Sequence, residues 1–138
     1  MFNCIVVAID GSEPSRRALE AACQMAKAFD SEVHLVHAVE AKVVEAAVAG
    51  IAWTTPDGDG ETVMAAAVDA AKEMGIAAAS TTTCEGEPFD EIMTIAKLYS
   101  ADLIVTGRRG LGSISGLFAG STSQKIAKHA DCAFLSVK

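Results

Sequence analysis

The sequence predicts an α/β fold in which one parallel sheet carries helices on both faces. Short apolar runs, such as residues 2–9 and 102–106, alternate with longer segments of helical periodicity. This alternation is typical of parallel strands joined by helical crossovers. Hydrophobic residues make up 51% of the chain and charged residues 21%, which excludes an intrinsically disordered protein. The length of 138 residues fits a single domain, which we place at residues 1–138.

The first strand, the first helix and the second strand have clear signals. Residues 2–9 form an apolar run typical of a strand that is buried on both faces. Ser12 is a favourable helix cap and Pro14 suits a first turn. Apolar residues then recur on one face, which predicts a helix over residues 15–29. Residues 32–39 predict the second strand.

The middle of the chain has weaker signals. Residues 42–52 are compatible with a helix or a loop, and residues 55–60 contain proline and glycines that interrupt regular structure. An Ala-rich segment predicts a helix over residues 61–74 that stops at Gly75. Residues 76–83 predict a weak strand near a sheet edge, because they contain few large apolar side chains.

The last part of the chain contains two helices, two strands and a loop. Gly-Glu-Pro opens a helix over residues 86–99, and residues 102–106 predict a compact buried strand. A glycine-rich loop over residues 107–119 leads into a helix over residues 121–130. Residues 132–137 predict the final strand, so the order of elements is β-α-β-α-β-α-β-α-β.

Charge and composition limit the classes of partner. The net charge of −7 argues against binding to nucleic acid or to an anionic membrane surface. No apolar run approaches the roughly 20 residues of a membrane span, and we recognise no signal peptide. The four cysteines show no disulfide or metal-site spacing, so we expect a cytoplasmic protein. Period-two alternation places His34 and His37 on opposite faces of their strand, which argues against a shared metal.

Glycine is concentrated in the loop before the last helix. Five of the eleven glycines lie in residues 107–120. Glycines let backbone N–H groups approach a ligand, and a helix N-terminus attracts phosphate. The loop is neither a Walker A motif nor a dinucleotide fingerprint. A phosphate site and a small-residue loop without a ligand are both open, and Arg108 and Arg109 suit either phosphate or solvent.

Gly107, Gly110 and Gly120-Ser121 have the spacing Gly-x2-Gly-x9-Gly-Ser. In this motif the chain resembles the universal stress protein family, whose nucleotide-binding members carry Gly-x2-Gly-x9-Gly-Ser/Thr. The first strand, which ends in Asp10 and is followed by Gly-Ser-Glu-Pro-Ser, also resembles the family. The similarity extends over the whole chain and is loosest at residues 40–60. The chain departs from the family at Cys132-Ala133, where many members carry Cys-Pro.

The resemblance implies a Rossmann-like open sheet of five parallel strands in the order 3-2-1-4-5. It also implies bound ATP or another adenine nucleotide, a ligand compatible with Mg²⁺ beside its phosphates. Ala8 and Asp10 match positions near the adenine and ribose, and Ala38 matches the residue whose backbone meets the adenine edge. Asp10 has an alternative role in capping the following helix. Gly107, Gly110, Gly120, Ser121 and Thr122 match the phosphate cradle of the family. Arg109 departs from the residue commoner there, and we add it to the predicted site because its charge favours phosphate.

We therefore expect an adenine-nucleotide-binding protein of stress response or signalling. ATP hydrolysis would be slow at most, because we can name no general base, and we assign no catalytic or metal-ligating residue. The alternative is a dimeric interaction module of the same fold that binds no nucleotide, and the intact glycine motif favours the first function. Residues 132–137 form an apolar strand at a sheet edge in the implied order, which predicts a homodimer through that strand.

Overall fold

The computed structural model of the protein describes residues 1–39, 43–45, 52–54, 58–108 and 121–138. The predicted alternation of strands and helices is confirmed within these ranges. The strands are β1 (Cys4–Ala8), β2 (Glu32–Val39), β3 (Val43–Glu45), β4 (Ala52–Thr54), β5 (Ser80–Glu85), β6 (Leu103–Gly107) and β7 (Ala133–Val137). The helices are α1 (Glu13–Phe29), α2 (Gly58–Glu73), α3 (Pro88–Leu98) and α4 (Ser121–His129).

Five of these strands form one parallel sheet in the order β5-β2-β1-β6-β7. Counted in chain order among themselves, they have the predicted order 3-2-1-4-5. The direction of winding reverses between β1 and β6, so the connections that leave these adjacent strands lead to opposite faces of the sheet. Such a reversal opens a crevice at the carboxyl ends of the strands, where open α/β sheets bind ligands.

Each face of the sheet has its own apolar cluster. Alternate residues of β1 point to opposite faces, so Ile5 and Val7 belong to the cluster beneath α1 and α2. Val6 and Ala8 belong to the second cluster, which includes residues of α3 and α4. Both central strands, β1 and β6, are buried along their whole length, as their β-branched apolar sequences predict.

The ends of the helices follow the local sequence signals. Ser12 is the N-cap of α1, and its Oγ accepts a hydrogen bond of 3.3 Å from the Ser15 N–H. Glu87 caps α3 by accepting from the Asp90 N–H at 3.1 Å. Gly75 follows α2 with a φ of +82°, a conformation that favours glycine, so the predicted helix stop is confirmed.

The third strand of the sheet starts later than predicted. We expected residues 76–83, but β5 covers Ser80–Glu85 and lies at the predicted edge of the sheet. The Ala79 N–H donates to Val33 O at 2.8 Å, and regular pairing begins with Ser80 opposite His34. The strand therefore begins where alanines give way to threonines, whose β-branched side chains favour extended backbone.

The stretch with two open interpretations contains a pair of short antiparallel strands. In β3 and β4, Val44 lies opposite Trp53. Residues 43–45 and Ala52, which we considered as part of a helix or a loop, therefore lie in strands. Helix α2 begins at Gly58, inside the segment that we expected to interrupt structure. A first helical turn tolerates the sequence Gly-Asp-Gly because its N–H groups have no partner within the helix. Among the described helices, none is long and apolar enough to span a membrane.

Candidate functional site

The crevice lies where the carboxyl ends of β1, β2 and β6 meet. The register pairs Ala8 with Val36 and Val7 with Val105, so Asp10, Ala38 and Gly107 follow at the same edge of the sheet. The structure thus brings together predicted site residues that are far apart in the chain, since Asp10 and Gly107 are separated by 97 positions. The turn after β1 forms one wall of this crevice, and the connection after β6 leads toward α4 on the other side.

The turn after β1 is held by a compact hydrogen-bond network. The Asp10 carboxylate accepts from the Ser12 N–H through Oδ1 at 2.8 Å, and the same oxygen accepts from the Ser12 hydroxyl. The Asp10 N–H in turn donates to the buried Ser15 Oγ at 3.1 Å. Gly11 permits the turn because its φ is +80°. Asp10 therefore orders Ser12, which caps α1, and is not itself the cap that the alternative role required.

Gly107 is required where β6 passes the first turn of α1. A Cβ at this position would lie 2.5 Å from the Pro14 carbonyl carbon and 2.5 Å from the Ser15 nitrogen. Both are backbone atoms, so neither can rotate away as a side chain would. The absence of a side chain at Gly107 thus lets the two walls of the crevice approach each other, a packing role that glycine spacing alone did not reveal.

The remaining predicted site residues differ in how they are placed. Ala8 and Ala38 are both 2% exposed, so their methyl groups are buried in the core and only their backbone can offer polar contacts. Ser121 and Thr122 lie in the first turn of α4, and the Thr122 side chain is buried. Arg109, Gly110 and Gly120 lie outside the described residues.

Arg108, which precedes the predicted contact Arg109 in the chain, has a side chain that faces solvent. Arg108 is exposed, and its N–H donates to Val137 O at 2.6 Å, which continues the pairing of β6 with β7. The alternative of a solvent-facing arginine therefore describes this residue. Lys125, the fifth residue of α4, is about half exposed, and its Nζ lies 3.8 Å from Oε1 of Glu87, the residue that caps α3.

Two histidines of β2 are buried and have separate partners. His37 Nδ1 lies 2.6 Å from Ile9 O, and because a carbonyl only accepts, this nitrogen carries the proton. His34 Nδ1 lies 2.7 Å from Ser80 Oγ, and its ring stacks on Tyr99 with centroids 3.8 Å apart. The sequence identified His37 only as a strand residue, so its hydrogen bond to Ile9 beside the crevice is a feature of the candidate site that sequence reasoning missed.

Two hydroxyl groups near the crevice were also missed. Thr106 Oγ1 and Ser123 Oγ are buried and have no hydrogen-bond partner in the described part of the chain. A polar residue at the end of the apolar run Asp-Leu-Ile-Val-Thr is the only signal in the sequence that could have marked Thr106.

Cys84, a cysteine near the crevice, has a thiol of low reactivity. Cys84 lies opposite Ala38 in the pairing of β5 with β2. Burial, with a further contribution from Glu91, raises the pKa of the Cys84 thiol to about 11. The thiol is therefore protonated at neutral pH and is a poor nucleophile.

Three comparisons with known proteins bear on this architecture. A family model described as the universal stress protein family matches residues 1–138. The chain is 34% identical over 149 aligned positions to the universal stress protein YxiE of Bacillus subtilis (strain 168), with both chains covered in full.

The solved structures agree with this similarity. A universal stress protein crystallised in complex with cAMP is 27% identical, with a TM-score of 0.75, and the alignment covers 99% of this chain and 96% of the other. The universal stress protein from Archaeoglobus fulgidus in complex with dAMP is 22% identical, with a TM-score of 0.73, over 100% of this chain and 98% of the other. At 22% identity, the similarity to the dAMP complex shows a shared fold and nothing more.

Proposed function

The chain belongs to the universal stress protein family, and from this premise we propose that it binds an adenine nucleotide in the crevice between the Asp10 turn and the N-terminus of α4. The observation that carries the proposal is the reversal of winding between β1 and β6, which places this crevice at the carboxyl edge of the sheet. The relative crystallised with cAMP supports an adenine nucleotide as the ligand class.

We propose specific contacts within this crevice. Asp10 has a carboxylate suited to accept from ribose hydroxyls, although its Oδ1 already accepts from Ser12. Ala8 would contribute a close apolar surface, and Ala38 would meet the adenine edge through its backbone. The phosphates would lie against the N-terminus of α4, whose unpaired N–H groups and dipole favour an anion. The residues proposed for this cradle are Gly107, Arg109, Gly110, Gly120, Ser121 and Thr122.

ATP is the nucleotide that we propose, with Mg²⁺ bound to its phosphates. Within the described ranges, no group of three or more His, Cys, Asp or Glu side chains is arranged to hold a metal ion. Mg²⁺ at this site would therefore take much of its coordination from phosphate oxygens and water, as it often does in proteins. We assign no general base, so any ATP hydrolysis would be slow.

Membership of the family supports a proposal for the biological role. We propose that residues 1–138 form one domain that acts in stress response or signalling in the cytoplasm. We also propose a homodimer through β7, because this strand lies at the edge of the sheet beside β6. An edge strand presents backbone groups that a second chain can pair with, and a two-fold axis would close the assembly. A dimeric module without a nucleotide is the second candidate, since the same edge would support it.

Thermal unfolding tests the nucleotide proposal. AMP, ADP, ATP and cAMP are added separately to the purified protein, with GTP as the control for base specificity. A ligand that binds only the folded state raises the melting temperature, so the adenine nucleotides should raise it more than GTP. Gly120→Val should remove the shift, because a branched side chain blocks backbone approach. No shift with any adenine nucleotide would leave the dimeric module as the better proposal.

A further inference from the structure

Three buried polar atoms have no hydrogen-bond partner among the described residues: His34 Nε2, Thr106 Oγ1 and Ser123 Oγ. The first lies 3.6 Å from Glu32 Oε2, so a carboxylate acceptor is near this nitrogen. The two hydroxyls have no hydrogen-bond partner within the described ranges, and both are buried, since Thr106 is 1% exposed and Ser123 is 9% exposed. A buried polar group without a hydrogen-bond partner lowers the stability of the folded state, so the burial of these two hydroxyls needs an explanation.

The two hydroxyls lie on the same side of the sheet and toward the same end. Thr106 follows Ile104 by two positions in β6, so both side chains point to the face covered by α4. Ser123 precedes Ile126 by three positions in α4, so both lie on one side of the helix. Ile104 and Ile126 belong to one apolar cluster. Relative to these isoleucines, Thr106 and Ser123 are both displaced toward the carboxyl edge of the sheet, where the crevice is.

The electrostatic setting at this end of α4 favours an oxyanion. The helix has nine residues, its first turn contains no acidic side chain, and its dipole directs a partial positive charge toward the crevice. The nearby Glu87 carboxylate caps α3 and lies 3.8 Å from Lys125 Nζ, so its charge is offset. A hydroxyl can donate to any acceptor, and a phosphoryl oxygen accepts more than one hydrogen bond.

We propose that the hydroxyls of Thr106 and Ser123 donate hydrogen bonds to one phosphoryl oxygen in the crevice. The assignment rests on the proposed function, under which this oxygen belongs to the nucleotide. The two side chains would then favour a phosphorylated nucleoside over the free nucleoside. The lack of a partner for these hydroxyls among the described residues is the cost expected of a site that is complete only when the ligand is bound.

Two nearly isosteric variants test the assignment. Thr106→Val and Ser123→Ala remove each hydroxyl while keeping most of the side-chain volume. The affinities of AMP, adenosine and inorganic phosphate are measured by calorimetry, together with the melting temperature of each free protein. Each variant should weaken AMP binding by about tenfold or more and leave adenosine binding unchanged. Each should also raise the melting temperature of the free protein, because each removes a buried hydroxyl that has no partner in the described part of the chain.

A matched control comes from α3. Thr94 is exposed and its hydroxyl donates to Asp90 O at 2.8 Å, so Thr94→Val should leave AMP binding unchanged and should not stabilise the protein. The hydroxyl assignment is wrong if Thr106→Val and Ser123→Ala leave AMP binding unchanged, or if they weaken AMP and adenosine equally. An ordered water would then be the partner of the hydroxyls.

The outcomes separate this assignment from the proposed function. If the wild type binds no nucleotide but binds phosphate, and both variants weaken phosphate binding, the oxyanion site stands and the nucleotide proposal fails. If the wild type binds AMP and the variants do not differ from it, the nucleotide proposal stands and the hydroxyl assignment fails. If the wild type binds neither ligand at millimolar concentration, both fail.

Discussion

His37 of β2 donates a hydrogen bond from its Nδ1–H to the carbonyl oxygen of Ile9, the residue that follows β1, at 2.6 Å. A second hydrogen bond joins the same strands, from the Ile9 N–H to Val36 O at 2.7 Å. Ile9 immediately precedes Asp10, so these two bonds determine where the chain leaves the sheet to form the turn of the crevice. A buried histidine thereby connects the core to the candidate site.

Replacing His37 should affect both stability and ligand binding. His37→Phe removes the bond and leaves a buried carbonyl unpaired, which should lower the free energy of unfolding by about 1–3 kcal/mol. Because the Asp10 turn loses its anchor, AMP affinity should also fall. Urea unfolding and calorimetry measure the two effects. His34→Phe is the matched control: it replaces the other buried histidine of β2, whose partners are Ser80 and Tyr99, and should leave affinity unchanged. Equal losses of affinity in the two variants would contradict this role of His37.

Gly107→Ala should destabilise the protein by about 1–3 kcal/mol, since the new Cβ meets the backbone of Pro14 and Ser15 at 2.5 Å. Gly86→Ala provides the comparison. There the closest atom is also 2.5 Å away, but it is Oε1 at the end of the Glu91 side chain, which can rotate away. Urea unfolding of both variants should therefore show a large loss only for Gly107→Ala. Similar losses would show that the approach of α1 to β6 does not depend on this glycine.

The thiol of Cys84 should contribute to alkaline unfolding. Its folded pKa is raised from 9.0 to about 11, so the folded state holds this proton more tightly than the unfolded state. The resulting stability is present below pH 9 and is lost as the pH rises toward 11. Cys84→Ala should make the free energy of unfolding fall less steeply across this range, measured by urea unfolding at several pH values. An identical slope in the variant would contradict the raised pKa.

The proposed dimer makes a prediction about two exposed residues on opposite edges of the sheet. Ser136 lies on β7, so Ser136→Glu would place like charges at a two-fold contact and should shift the protein to monomers. Thr81 is exposed on β5, and Thr81→Glu introduces the same change at the other edge. Light scattering at micromolar concentration should detect monomers only for Ser136→Glu. Dissociation by Thr81→Glu alone would place the contact at β5.

Much of the fold was predictable because it follows from periodicity. The β-branched run before Asp10 predicts a central strand, and alternation with helices predicts a parallel sheet. The strand order came from the resemblance of the glycine motif, since periodicity does not specify which strands are neighbours. The start of β5 was misplaced because its polar threonines give no apolar alternation. The β3–β4 pairing was missed because strands of three residues are too short to show alternation.

The candidate site was predictable only in outline. Asp10 and Gly107 could be located from the chain, but their contacts depend on the approach of α1 to β6. The bond of His37 to Ile9 joins residues 28 positions apart, which no local pattern reveals. The hydroxyls of Thr106 and Ser123 have no partner among the residues that the structure describes, a property that depends on what surrounds them after folding.

A calorimetric titration of the wild-type protein with AMP and ATP, in the presence and absence of Mg²⁺, tests whether the crevice binds an adenine nucleotide. We expect saturable binding of both nucleotides with one site per chain, and a stronger response of ATP than of AMP to Mg²⁺ because ATP carries more phosphate oxygens. Absence of binding to either nucleotide at millimolar concentration, by a protein that unfolds cooperatively, would contradict the claim that this crevice is an adenine-nucleotide site.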